Sequence, residues 1–200
     1  MPERIYTSPG DGTLKPLEET VFPSENELQA LLADHPELLD GEQIRPDDAR
    51  RWILVTREKG IAPARGETAR WSVDHLFIDQ DAVPTLAEVK RGSNPEIRRA
   101  IVGQLLEYAA HASETWSAAD LRGAFERQCE MRGRKAREEI ATLLGTKDEA
   151  DMDLFWEGVA SNLAAKRLRL LFVADRIPDP LARGLEVLNV QMPGIQGGPA

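Results

Sequence analysis

The chain of 200 residues contains a single cysteine, Cys129, and only three histidines. One thiol excludes an internal disulfide and a cysteine-based zinc site, and so few histidines argue against a histidine-rich metal centre. No run of about 18 apolar residues occurs, and the first residues lack the apolar stretch of a secretory signal, so we expect no membrane span. We therefore expect a cytoplasmic protein. Any metal would be held by carboxylates, which favours Mg²⁺ or Mn²⁺.

Basic residues are also fewer than acidic ones, since the formal net charge is −9. This charge argues against a nonspecific nucleic-acid-binding coat. Lysine and arginine nevertheless cluster in two stretches, 44–70 and 122–137. Each cluster fits either a solvated face or a localised phosphate-binding surface.

The order of predicted elements indicates an α/β fold with a mixed sheet between helices. Ser24 and Glu27 form a capping box that begins the first helix. The predicted elements are a helix from Ser24 to 35–36, a strand at 52–57, hairpin strands at 70–79 and 83–91, a helix from 94 to about 112, a helical insert at about 116–166, a strand at 167–175 and a helix at 181–189. We expect one domain over 23–192, with a flexible lead-in at 1–22 and a flexible tail at 193–200.

The predicted hairpin carries three charged side chains that can share one face. A turn centred on Asp81 places Asp74 directly opposite Glu88, with Cβ atoms roughly 5 Å apart. Two facing carboxylates repel each other, and a divalent cation between them would remove that repulsion. Lys90 lies two residues further on, where its ammonium can stabilise charge on a phosphate or orient a water molecule. A register shift of one residue would move Asp74 to the other face.

Other charged residues near these strands have two interpretations. Glu25 lies three residues before Leu28 and seven before Leu32, so it shares the predicted apolar stripe of Leu28, Leu31 and Leu32. It either complements the helix dipole or takes part in a site. Arg98 and Arg99 follow the hairpin at the start of the next helix. They either form a solvated face or contact phosphate.

Asp74, the run Glu88-Val89-Lys90 and a following helix with Gln104 and Tyr108 together resemble the PD-(D/E)XK nuclease superfamily, which has the restriction-endonuclease-like fold. The resemblance covers about residues 24–112. It implies that Asp74 and Glu88 bind Mg²⁺ or Mn²⁺ and that Lys90 assists catalysis. It also implies that Gln104 and Tyr108 shape the site or contact the DNA backbone.

The resemblance extends to Glu25, because some branches, such as archaeal Holliday-junction resolvases, have an acid on the first helix as a further metal ligand. The chain departs from the family where Val73 replaces the proline before the aspartate, and where the helical insert has no counterpart. The implied function is hydrolysis of DNA phosphodiester bonds in repair or defence, with DNA as partner, no membrane, and a homodimer as in many such nucleases. Two alternatives stay open: a non-catalytic nucleic-acid-binding or protein-interaction module on the same fold, and an α/β domain whose acids lie at the surface.

Overall fold

The computed structural model describes residues 6–8, 10, 13–17, 21–92 and 100–191. The elements in chain order are β1 (Tyr6–Thr7), β2 (Lys15–Pro16), α1 (Glu25–Asp34), a 3₁₀ helix (Pro36–Leu38), α2 (Gly41–Ile44), β3 (Trp52–Ile61), β4 (Trp71–Asp79), β5 (Pro84–Lys90), α3 (Ala100–Thr115), α4 (Ala118–Met131), α5 (Ala136–Leu144), α6 (Glu149–Ala164), β6 (Arg169–Ala174) and α7 (Asp179–Gln191). Among the described helices, none is both long and apolar enough to span a bilayer.

The main sheet has four strands in the order β3, β4, β5, β6. The β3–β4 and β4–β5 pairs are antiparallel, whereas β5 and β6 run parallel. The predicted α/β fold with a mixed sheet flanked by helices is therefore confirmed. Strands β1 and β2 form a separate, exposed antiparallel pair.

The register of the hairpin is the one that the sequence predicts. The cross-strand pairs run from His75 opposite Ala87 to Ile78 opposite Pro84. Continued by one residue, this register places Asp74 opposite Glu88. Since a slip of one residue would reverse every side chain, the register decides which side chains meet.

Two helical layers cover the sheet. On one face α1 contributes Leu28 and Leu32 to a core with Phe77 and Val89. On the other face the predicted insert folds as three helices, α4 to α6, whose buried residues pack against the sheet. This larger core includes Leu76, Ile78, Leu86, Leu121, Phe125, Trp156 and Val159. The insert is therefore part of the main hydrophobic core and not an appendage.

Gly133 and Gly145 predict breaks within the helical insert, and both breaks are confirmed. Helix α4 ends before Gly133, and α5 is followed by Gly145 as its C-cap. Gly145 has φ 68°, the left-handed conformation that commonly closes a helix and that glycine adopts without steric cost.

Three details of the prediction are wrong. Leu31 is 37% exposed instead of part of the buried stripe, because α1 turns Gln29 and Ala33 inward beside Leu28 and Leu32. Strand β3 continues to Ile61 through residues predicted as loop, because its pairing with β4 extends to Trp71. Alternation along the strand predicts that Val73 shares a face with His75 and Phe77, but Val73 packs in the core that contains Leu76. The start of the helix predicted at residue 94 lies outside the described residues.

Candidate active site

The structure brings together the two acids and the lysine that the sequence singles out. The Lys90 ammonium lies 2.8 Å from Glu88 Oε1 and 3.8 Å from Asp74 Oδ2. The two carboxylates therefore share one cation, as close neighbours on adjacent strands. The side chains are only 3% exposed for Glu88, 14% for Asp74 and 16% for Lys90. This burial contradicts the alternative in which the acids are surface groups.

Asp74 reaches this position because it ends the regular pairing between β4 and β5. The last hydrogen-bonded partners at this end are His75 and Ala87. Beyond them, the Asp74 carboxylate accepts a hydrogen bond of 2.8 Å from the backbone N–H of Val89. The side chain thus replaces the missing backbone acceptor, which fixes Oδ2 beside the Lys90 ammonium.

Burial and neighbouring charges shift the pKa values of Asp74, Glu88 and Lys90. Burial raises the pKa of Asp74, although the Val89 N–H and the Lys90 charge act in the opposite direction. Burial and the charge of Asp74 likewise raise the pKa of Glu88. Burial lowers the pKa of Lys90, but the hydrogen bond to Glu88 and the surrounding acids outweigh it, and the net shift is upward. The acids hence favour uptake of a proton or a further cation, while Lys90 stays charged.

Glu88 has one carboxylate oxygen that is satisfied and one that is not. Oε1 accepts from Lys90 and, at 3.0 Å, from the Gln104 side-chain amide. Oε2 is buried and has no hydrogen-bond partner among the described residues. A buried carboxylate oxygen without a donor is costly, so this atom calls for a proton, a water molecule or a metal ion.

Helix α3 supports the carboxylates through the two residues of the predicted motif. Gln104 and Tyr108 are one turn apart, and the Gln104 amide also donates to the Tyr108 hydroxyl at 2.8 Å. The amide nitrogen thereby links Tyr108 to Glu88. Tyr108 itself is 6% exposed, and burial raises the pKa of its hydroxyl, which remains protonated at neutral pH.

Glu25 lies at the edge of the site. Its carboxylate accepts a hydrogen bond of 3.2 Å from the backbone N–H of Arg91, directly after Lys90. Its charge contributes to the pKa shifts of Asp74 and Lys90. Glu25 therefore anchors α1 to the end of β5 beside the two acids. Arg98 and Arg99 lie outside the described residues, so their predicted phosphate contacts stay predictions.

Most cations of the two basic stretches are engaged within the protein. Arg50 is 4% exposed and binds Asp81 and Asp48, and Arg57 donates to Asn26 and Gln29 on α1. In the second stretch the partners are Glu126 for Arg122, Asp34 for Arg132, Glu139 for Arg134, Glu138 for Lys135 and Glu149 for Arg137. These contacts favour a structural role for the basic stretches over a phosphate-binding surface.

Sequence reasoning missed a buried ion cluster at the hairpin turn. Asp79 is fully buried, accepts the backbone N–H groups of Asp81 and Val83, and pairs with Arg169 at 2.5 Å. Arg50 completes the cluster. It holds the turn that sets the register, and only the position of Asp79 next to a turn could have indicated it.

The carboxylates of Asp74 and Glu88 meet part of the coordination requirement of a hard divalent cation. Mg²⁺ commonly binds one or two protein carboxylates and keeps several water molecules, which Asp74 and Glu88 with its unpartnered oxygen can satisfy. In the described part of the chain, no group of three or more Asp, Glu, His or Cys side chains is arranged to hold one ion. Glu25 is therefore not shown as a third ligand of the same ion.

Comparisons of the chain with protein-family models, with curated proteins and with solved structures found no match. The geometry of Asp74, Glu88 and Lys90, with the residues around them, is therefore what bears on function.

Proposed function

We propose that the chain is a metal-dependent nuclease that hydrolyses DNA phosphodiester bonds, with a restriction-endonuclease-like fold. One observation carries the proposal: two buried carboxylates on adjacent strands face one ammonium, and Glu88 Oε2 has no partner among the described residues. Such an arrangement destabilises a protein that uses it only for packing, and it suits a site that takes up a divalent cation.

Each residue has a distinct role in this proposal. Asp74 and Glu88 hold one or two Mg²⁺ or Mn²⁺ ions. When bound, the metal supplies Lewis-acid stabilisation of the phosphoryl oxygens and a water molecule of lowered pKa. Lys90, which stays protonated, turns from the carboxylates to a phosphate oxygen or to the attacking water. Gln104 keeps the Glu88 carboxylate oriented, and Tyr108 supports Gln104.

The test is DNA cleavage by purified protein with Mg²⁺ or Mn²⁺ on duplex, single-stranded and branched DNA. We expect cleavage that is abolished in Glu88→Ala and Lys90→Ala while circular dichroism shows an intact fold. Lys166→Ala is the matched control, because Lys166 also forms a lysine–glutamate pair but is 66% exposed and contacts Glu114 instead. Wild-type protein that cleaves none of the substrates with either metal contradicts the proposal.

A second candidate, a non-catalytic nucleic-acid-binding or protein-interaction module, is favoured by the Lys90 bridge itself. An ammonium within 4 Å of both acids neutralises part of their charge without any metal. Calorimetry separates the candidates, since the module binds DNA or a protein partner without binding Mn²⁺. The nuclease binds Mn²⁺, and Glu88→Gln weakens that binding.

A further inference from the structure

A third acid lies in the same transverse row of the sheet as Asp74 and Glu88. On β3, Glu58 lies between Arg57 and Lys59, whose pairing partners on β4 are the residues immediately before and after Asp74. Those partners are His75 for Arg57 and Val73 for Lys59. Glu58 and Asp74 thus lie across from each other at the one position that the β3–β4 pairing skips there, and the register of β5 places Glu88 on the other side of Asp74.

The backbone of Glu58 has an unusual conformation. Its φ is 52°, in the left-handed region that residues with a Cβ atom seldom adopt. The side chain is held by the Ser72 hydroxyl, which donates to Glu58 Oε2 at 3.2 Å. Ser72 is two residues before Asp74 on β4, so the hydrogen bond holds the Glu58 carboxylate at the strand segment that carries Asp74.

Exposure changes along this row of acids. Glu58 is exposed, Asp74 is 14% exposed and Glu88 is 3% exposed. The charge of Glu58 is among the causes that raise the pKa of Asp74, after burial. The two carboxylates are therefore close enough to act on each other, with Glu58 on the solvent side.

Glu58 does not complete a three-acid group that could hold one ion within the described ranges. A hydrated Mg²⁺ ion keeps several of its water molecules, and acids beyond the direct ligands can accept hydrogen bonds from them. An exposed carboxylate across from Asp74 is suited to accept hydrogen bonds from those water molecules.

We propose that Glu58 is a positioning residue that accepts hydrogen bonds from the water molecules of a divalent cation held by Asp74 and Glu88. The inference rests on the proposed function, because it requires that the two buried acids bind a cation. Glu58 raises the affinity of the site for the hydrated ion and directs those waters from the solvent side.

Titration of Mn²⁺ into the full chain by calorimetry tests the role of Glu58. We expect Glu58→Gln to weaken binding by about fivefold or more at low salt, because one negative charge near a divalent ion is lost. The difference should shrink at high ionic strength, since the Glu58 carboxylate is exposed and screened by salt. Glu67→Gln is the matched control: Glu67 is an exposed acid in the loop that joins β3 to β4, and its replacement should change affinity less than twofold.

A second variant separates this role from a structural one. Asparagine tolerates the left-handed conformation, so Glu58→Asn should raise the melting temperature by about 1–3 °C and still weaken Mn²⁺ binding. If wild-type protein binds Mn²⁺ and Glu58→Gln binds it equally well, the role of Glu58 is refuted and the nuclease proposal stands. If wild-type protein binds no Mn²⁺, both are refuted.

Discussion

Replacement of Lys90 by methionine removes the cation that bridges the two buried carboxylates. Methionine keeps the apolar stem, so the main change is the loss of the ammonium 2.8 Å from Glu88 and 3.8 Å from Asp74. Removal of one partner from a fully buried ion pair costs about 3–5 kcal/mol. Because Lys90 and Asp74 are 16% and 14% exposed, we expect a smaller loss of unfolding free energy, about 2–3 kcal/mol at pH 7.5 without metal.

The stability of Lys90→Met should depend on pH and on metal. The folded-state pKa values of Asp74 and Glu88 are raised above their ordinary values, and the loss of Lys90 raises them further. A raised carboxyl pKa destabilises the folded state at high pH, and this penalty disappears as the pH falls through the folded pKa. The difference from wild type should therefore shrink as the pH falls from 7.5 towards the raised pKa values of the two acids. Mn²⁺ at one hundred times its Kd should stabilise the variant by about 2.7 kcal/mol.

Urea denaturation followed by tryptophan fluorescence measures these differences, with EDTA or Mn²⁺ in the buffer. Lys166→Met is the control, because its partner Glu114 is also 66% exposed, and an exposed pair contributes at most about 1 kcal/mol. A Lys90→Met variant no less stable than this control would refute the claim that Lys90 compensates two buried acids. Absence of stabilisation by Mn²⁺ would refute the claim that those acids bind metal.

Three further predictions concern the surroundings of the site. Burial lowers the pKa of His75 from 6.5 to about 4, so the folded state should lose about 2 kcal/mol as the pH falls from 7 to 5. His75→Gln keeps a donor for the Gln29 carbonyl, and urea denaturation at both pH values should show the loss only in wild type. Tyr108→Phe removes the acceptor of Gln104, so kcat should fall about twofold to tenfold with little change in melting temperature; an unchanged kcat would contradict a supporting role. Ser24→Ala removes the cap that accepts from Glu27 N–H, and urea denaturation should show a loss of about 1 kcal/mol; no loss would mean that solvent replaces the cap.

The hairpin and its register were predictable because local signals agree there. Short apolar runs on either side of a turn define both strands, and a turn centred on Asp81 fixes their pairing, so the meeting of Asp74 with Glu88 followed from counting. The full length of β3 was not predictable from composition. Residues 58–60 carry little apolar character, and only the pairing with β4 extends the strand through them.

The surroundings of the acids needed the three-dimensional fold. Glu58 was missed because its strand was predicted to end at Arg57, and a left-handed residue within a strand has no sequence signal outside glycine and asparagine. The buried role of Arg50 has no sequence signal for a similar reason. A run of arginines looks the same whether it faces solvent or a buried carboxylate, and its pairing with Asp79 and Asp81 depends on the turn 30 residues later.

The central claim is that Asp74 and Glu88 hold a divalent cation. Anomalous diffraction from crystals soaked in Mn²⁺ tests it most directly. We predict a peak about 2 Å from carboxylate oxygens of both residues, with Glu88 Oε2 among the ligands and the Lys90 ammonium moved away from Asp74. Well-ordered density in which Lys90 still bridges both acids, with no peak at saturating Mn²⁺, would contradict the claim.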